Sequence, residues 1–489
     1  MKKLLMMLFS ILLVFTAAAC SKESADTSSK KTKDGKTIIR LAAKDDAPSN
    51  PAAVKYYDEL AKALKKDENI NVKFELVEVP QGTYAEKLNL LLTSGDIPDL
   101  IYFQGGDQQI AQQDLLEDLT PYIEKSKNIK NIIEPQNKQR LKNYPYLLWI
   151  KPLDQKTPVV RKDWFDKMAS SKDLMANPTP DNYYKFLKEL VSNPPGGAKK
   201  PAYGLTVAGD VNEIDSIFKM AFGINQSWLK NSEGKYEYYK VSDKQKELLT
   251  YYQKLYKDGI LDPQYLTKQW DTKEKAFYDG EAAVITGTNG KVIDLYNSKM
   301  TEVNGKQAEL VVLPAAKGEF QGYGATDITK ESRGYAISSQ SKNKEVVFKV
   351  LDYLASPKGQ MFDRLGYEKE QYNIVDNQIE LTDKYYSEWY ARYWEPTNYQ
   401  PETPLKTPLL SEPATKSQQA VQQSYTEDNS FIIPEEFVTN WDAMENLYKE
   451  YSTDIITGKR PVSDFDKFVQ EWKKAGGDEV TKFANENIK

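Results

Sequence analysis

Residues 90–101 read Leu-Leu-Leu-Thr-Ser-Gly-Asp-Ile-Pro-Asp-Leu-Ile. The stretch reads as a helix over Tyr84–Thr93 that ends at Gly95, because glycine enters the left-handed conformation that closes helices without a Cβ penalty. A strand from Asp99 to Phe103 follows. Upstream, Ile38–Leu41 reads as a strand, Val54–Leu64 as a helix with Val54, Tyr57, Leu60, Ala61 and Leu64 on one face, and Val72–Val79 as a second strand. Strands alternating with helices predict an α/β lobe with a mainly parallel sheet.

The alternation returns downstream. Ser242 with Gln245 forms a capping-box pattern before a helix carrying Leu248, Leu249, Tyr252, Leu255 and Tyr256, closed by Gly259. Ala283–Thr286 and Leu310–Leu313 read as strands and Val346–Leu354 as a helix. Ser463 is placed to cap a last helix with Phe465, Phe468, Val469 and Trp472 ahead of Gly476-Gly477. Residues 394–418, rich in Pro, Thr and Gln, lack periodicity and read as a long surface loop. There is no internal repeat.

At the N-terminus Lys2 and Lys3 precede an apolar run from Leu4 to Phe15 and the small residues Ala17–Ala19, the pattern of a secretory signal peptide over residues 1–19. Cys20, which follows, is the single cysteine of the chain. Small residues before a lone cysteine resemble the bacterial lipobox, with Ala17 where that pattern usually has Leu. The resemblance implies that Cys20 takes a diacylglyceryl group. Residues 21–36 hold almost nothing apolar and cannot offset the entropy of ordering, so 20–36 is expected to be a lipidated, flexible tether.

Some 450 residues remain, too many for one hydrophobic core, so two lobes are expected. Net charge is −5, or −7 once Lys2 and Lys3 are removed, which disfavours nucleic acid as a partner. With one cysteine no intrachain disulfide forms. No histidine occurs in 489 residues, which removes His-based triads, histidine zinc ligands and histidine general bases. No GxxxxGK[ST] loop is present, so ATP hydrolysis falls to a partner.

The segment at residues 90–101 is similar to the SGDxPDI passage of family 1 extracellular solute-binding proteins. In family order it is joined by Val160-Arg-Lys-Asp-Trp-Phe165, Leu255-Tyr-Lys-Asp-Gly-Ile-Leu-Asp-Pro263, Phe277-Tyr-Asp-Gly-Glu-Ala-Ala283, Arg333-Gly-Tyr-Ala-Ile337, Tyr353-Leu-Ala-Ser356 and Ile455-Ile-Thr-Gly-Lys459. The resemblance is nearest to a lipoprotein subgroup that takes up oligosaccharides. It implies a two-lobed periplasmic-binding-protein-like α/β fold with a mainly parallel sheet in each lobe, an inter-lobe cleft and three crossings near Lys156, Thr286 and Lys330. Lobe boundaries follow at 37–156 with 286–329, and 157–285 with 330–489. The implied function is capture of an oligosaccharide for the permease subunits of an ABC importer, by a monomer held at the outer face of the cytoplasmic membrane through its lipid alone. No enzymatic activity and no cofactor are implied. Larger members carry an acidic calcium loop, but Val191–Leu205 here has no Asp or Glu, so no metal is expected there.

Flat rings suit the apolar faces of pyranoses, and planar polar groups suit their hydroxyls. Aromatic residues make up 12% of the chain, and position selects among them. Trp270 lies near an expected crossing; Trp389 and Trp394 open the irregular loop; Trp441 and Trp472 sit in helix patterns and read as core. Ligands in open α/β sheets bind beyond the carboxyl ends of strands. That rule adds Asp45 and Asp46, Phe103 and Gln104, Thr288 and Asn289, while Arg333 and Tyr335 open the last crossing. A helix-capping turn before Pro48 explains Asp45 and Asp46 equally well, and Arg161 with Asp163 reads as a structural ion pair. A secreted carbohydrate hydrolase or lyase and a peptide- or metal-binding lipoprotein stay open as other readings; lack of His weighs against metal.

Overall fold

The computed structural model describes residues 31–79, 84–193, 201–396, 399 and 401–488. The expected signal peptide, Cys20, tether residues 21–30 and residues 194–200 of the expected metal-free loop lie outside the described residues. Residues 31–36, expected in the tether, form a turn in which Thr32 N donates to Lys36 O at 3.0 Å. Among the described residues no helix is long and apolar enough to cross a membrane.

Contacts divide the chain into two units. The first runs through Ser126 and adds Pro145–Leu148 and Ser332–Tyr353; the second holds Lys127–Tyr144, Trp149–Glu331 and Leu354–Lys489. The expected boundaries need correction on this division. A boundary at 285/286 would cut the strand Ala282–Thr288, which pairs along its length with Lys156–Arg161 and places residues 286–329 in the second unit. Residues 332–353, assigned to the second lobe from sequence, belong to the first because Arg333–Ile337 pairs with Leu100–Gln104.

The first unit's sheet has the order Arg333–Ile337, Leu100–Gln104, Thr37–Ala42, Val72–Leu76, parallel except at the Arg333 edge. Helix Pro51–Glu68 packs on it. Asn50 caps that helix, its Oδ1 accepting from Ala52 N at 3.0 Å, with Pro51 in the first turn where no N–H is needed. Its buried face is Ala53, Tyr56, Tyr57, Leu60 and Leu64. Val54, expected on that face, is exposed. The helix Tyr84–Thr93 and the left-handed Gly95 (φ 88°) stand where the sequence puts them.

The second unit's sheet runs Tyr203–Thr206, Ala282–Thr288, Lys156–Arg161, Leu310–Val312. Only the first pair is parallel; Lys156–Arg161 is antiparallel to both neighbours, which corrects the expectation of a mainly parallel sheet in this lobe. The central strands are buried at almost every residue, as expected when both faces are covered. On one side lies a core that includes Trp164, Phe186, Phe218, Leu248, Tyr252 and Trp472. A second cluster gathers Phe277, Ile285, Ile293, Tyr296 and Met300.

Helix Asp243–Lys257 is capped by Ser242 Oγ, which accepts from Gln245 N. The reciprocal half of the expected box is missing, since Gln245 Nε2 donates to Tyr448 OH at 2.7 Å instead. Residues 412–418, expected in a loop, open the helix Glu412–Gln423. Ser463 lies inside a short turn, Asp464 occupies the cap position, and a further helix, Asp478–Asn487, follows the two glycines.

Candidate functional site

In the first unit, antiparallel register sets Arg333 opposite Gln104, Gly334 opposite Phe103 and Tyr335 opposite Tyr102. Arg333 Nε donates to Tyr102 OH at 3.1 Å and Gln104 Nε2 to the same oxygen at 3.3 Å. The Tyr102 and Tyr335 rings lie 4.9 Å apart. Phe103 is fully buried and belongs to the core. Asp46 is buried too, accepting from Tyr57 OH at 2.9 Å, whereas Asp45 is exposed in a left-handed turn (φ 68°). Thus Gln104, Arg333 and the two tyrosines form a polar group at the end of this sheet. Sequence reasoning placed Phe103 and Asn289 in one lobe and Arg333 in the other; the pairing puts Phe103 with Arg333 and leaves Asn289 in the second unit.

In the second unit, two regions flank the carboxyl end of Ala282–Thr288. The first is a ledge under Trp270, the opening residue of the helix Trp270–Tyr278, which is 41% exposed. Thr272 closes the start of this helix, its Oγ1 accepting from Gln269 N at 2.9 Å. Lys273 Nζ sits 4.0 Å and Lys156 Nζ 4.5 Å from the indole centroid. Lys273 is fully buried, donating to both Glu213 carboxylate oxygens at 2.9 and 3.0 Å and to Thr286 O at 3.2 Å. Burial lowers the Lys273 pKa, and the Glu213 charge opposes that shift. Lys156 donates to Thr288 Oγ1 at 3.0 Å and lies 3.9 Å from Glu213. Thr288 is therefore part of the ledge.

The second region is a cavity of 330 Å³ whose walls include Asn289, Lys291, Arg364, Tyr385, Trp389 and Tyr399. Its size falls in the range of ligand pockets. Asn289 is held at the strand end: its Oδ1 accepts from Gln155 N at 2.7 Å and its Nδ2 donates to Leu153 O. Trp389 is 51% exposed. Lys291 Nζ donates to the carbonyls of Tyr385 and Tyr386, with Asp294 Oδ2 at 4.0 Å. Burial drives the Lys291 pKa from its ordinary 10.5 down to about 8, partly opposed by Asp294 and Glu395.

Trp394, expected on an exposed loop, is fully buried. The cause is the buried carboxylate of Asp363, which accepts from the backbone N–H groups of Arg392, Tyr393 and Trp394 and folds the segment inward. Trp472 is core as expected, and Arg161 pairs with Asp163 in two-pronged fashion at 2.6 and 2.7 Å. The sequence reading missed Lys291 and Arg364. Lys291 was within reach of the strand-end rule, two residues past Asn289; Arg364 carries no local signal. Among the described residues no cluster of three or more Cys, Asp or Glu is placed to hold a metal ion.

Likeness to known proteins agrees with this architecture. The chain is 22% identical to Lipoprotein LipO of Bacillus subtilis (strain 168) over 497 residues, covering 96% of this chain and 95% of that one. Among solved structures it resembles the alginate-binding protein AlgQ2 without calcium ion (TM-score 0.67, 15% identity, 92% of this chain and 97% of that chain). It also resembles the Streptococcus pneumoniae ABC-transporter substrate-binding protein FusA in complex with kestose (TM-score 0.65, 17% identity, 92% and 99%). These neighbours share its two-lobed periplasmic-binding-protein-like fold. The profile of the bacterial extracellular solute-binding proteins matches residues 47–361, and the chain belongs to that family.

Proposed function

We propose that this protein captures an oligosaccharide without altering it and delivers it to the permease of an ABC importer, as a monomer tethered by lipid on Cys20 to the outer face of the cytoplasmic membrane. The observation that carries the reading is the half-exposed Trp389 on the wall of a 330 Å³ cavity, in a member of the solute-binding family. An indole left open to a cavity offers a flat apolar face for a sugar ring, while the amide and cationic groups around it suit hydroxyls and ring oxygens. The exposed Trp270 with Lys156 provides a second surface of the same kind. AlgQ2 and FusA, by their names and ligands, handle alginate and kestose, which supports a glycan for this chain.

Mass spectrometry of the native N-terminus is expected to show a diacylated Cys20; an unmodified chain beginning elsewhere contradicts the anchor. Incubation of the purified protein with oligosaccharides followed by chromatography is expected to return them intact. New, shorter products would make the protein a hydrolase or lyase.

A further inference from the structure

The cavity of the second unit holds two cations and only one of them has a nearby carboxylate to spare. Among the described residues Arg364 Nε is buried without a hydrogen-bond partner, an Nη makes one long bond of 3.5 Å to Pro396 O, and the Tyr399 ring lies 5.0 Å from the guanidinium carbon. No carboxylate among the described residues makes an ion pair with it within 4.0 Å. Lys291 leans on two carbonyl oxygens, with Asp294 at 4.0 Å. Two acidic residues also line the cavity, but both are engaged. Glu395 pairs with Lys151, and Glu388 accepts from Gln371 Nε2 at 3.0 Å with Lys384 at 3.8 Å. Asp294 spends Oδ1 on Ser411 N at 2.8 Å and Ser411 Oγ at 2.5 Å.

Arg364 is half-buried with its Nε out of contact with solvent, a guanidinium partly withdrawn from water without a counter-ion is unfavourable, and its forked donors match a carboxylate. The Tyr399 hydroxyl, also buried without a hydrogen-bond partner among the described residues, adds a neutral donor on the same wall. Trp389 supplies an open ring face beside them.

We infer that this cavity takes an acidic sugar, a uronate residue whose carboxylate pairs with Arg364 and Lys291 while its ring lies against Trp389. The inference rests on the oligosaccharide reading and narrows it to a carboxylated glycan. Lys291 is faced by the carboxylates of Asp294, Glu388 and Glu395, by the Arg364 guanidinium and by Tyr385 and Tyr386. A bound carboxylate adds one more negative charge to that set, so affinity is expected to fall as pH rises through about 8, where Lys291 loses its proton.

The test is a binding titration with short galacturonate, glucuronate and mannuronate oligosaccharides, each alongside its carboxyl-reduced neutral counterpart. At least one acidic member is expected to bind at least tenfold more tightly than its reduced form, with the difference shrinking at high salt. Arg364→Gln is expected to remove that preference, Arg364→Lys to keep part of it, and both variants to melt as a single folded species. Reduced forms binding as well as acidic ones, or Arg364→Gln retaining full preference, overturns the inference and leaves the oligosaccharide reading standing. Binding of neither set overturns both.

Discussion

The Trp270 ledge and the Lys291–Arg364 cavity flank the same strand end, Thr288 belonging to one and Asn289 to the other, yet they treat charge withdrawn from water differently. On the ledge, Lys273 is sealed from solvent and meets both oxygens of Glu213. In the cavity the half-buried Arg364 meets no carboxylate among the described residues, and Lys291 is served chiefly by carbonyl oxygens. A buried charge with its counter-ion in the same chain is a structural element, and removing one partner destabilises strongly. A charge facing open space without a counter-ion leaves that role to a ligand.

The sharpest way to break the comparison is Glu213→Ala. It strands the Lys273 ammonium and is expected to cost about 3–5 kcal/mol of stability, with Lys273→Met in the same chain restoring most of it. Thermal denaturation of the two variants reads this out. If Glu213→Ala melts like the parent, the ledge is not held by its ion pair.

Next in size is a pair of tryptophans five residues apart. Trp394→Ala opens a cavity in packed surroundings and is expected to cost about 3–4 kcal/mol. Trp389→Ala is expected to change stability by no more than about 0.5 kcal/mol, because half of that ring already faces solvent. Chemical denaturation of both gives the contrast; equal losses would place Trp389 in the core.

Lys291 gives a pH signature. Its folded pKa of about 8 lies below the ordinary 10.5, so between those values the unfolded chain binds more protons and stability rises with pH. Lys291→Met is expected to lose that rise and to gain on the order of 3 kcal/mol at pH 7. Parallel pH dependences in parent and variant would show that Lys291 is not buried as a charge. Smallest is Trp270→Ala, expected to weaken oligosaccharide binding by about 1 kcal/mol while leaving the melting temperature nearly unchanged.

Local signals decided which parts of this molecule were legible. Tyr84–Thr93 with Gly95 and the Ser242 cap are set by residues within a turn of one another, and they stand out in the sequence; the helix read from Val54 starts at Pro51, after the Asn50 cap. The antiparallel run of Lys156–Arg161 is fixed by partners more than a hundred residues away, which no window reveals. The helix Glu412–Gln423 was hidden because its buried side is made of Pro413, Ala414, Ser417 and Val421, a weakly apolar face. Trp394 was misplaced because Asp363, thirty-one residues away, buries it. Position beside strand ends and loops singles out Trp270, Thr288, Asn289 and Trp389 in the sequence as candidates, whereas the juxtaposition of Arg364 and Lys291 on the walls of one cavity exists only in the folded chain.

The account stands or falls on capture of a glycan. Thermal denaturation of the mature protein against a panel of neutral and acidic oligosaccharides tests this directly, since ligand at about 100 times its dissociation constant adds roughly 2.7 kcal/mol to stability. The account predicts that at least one oligosaccharide raises the melting temperature of the parent, with a smaller rise for Trp389→Ala. A panel that leaves the parent unmoved, or a shift of equal size in the variant, would contradict it.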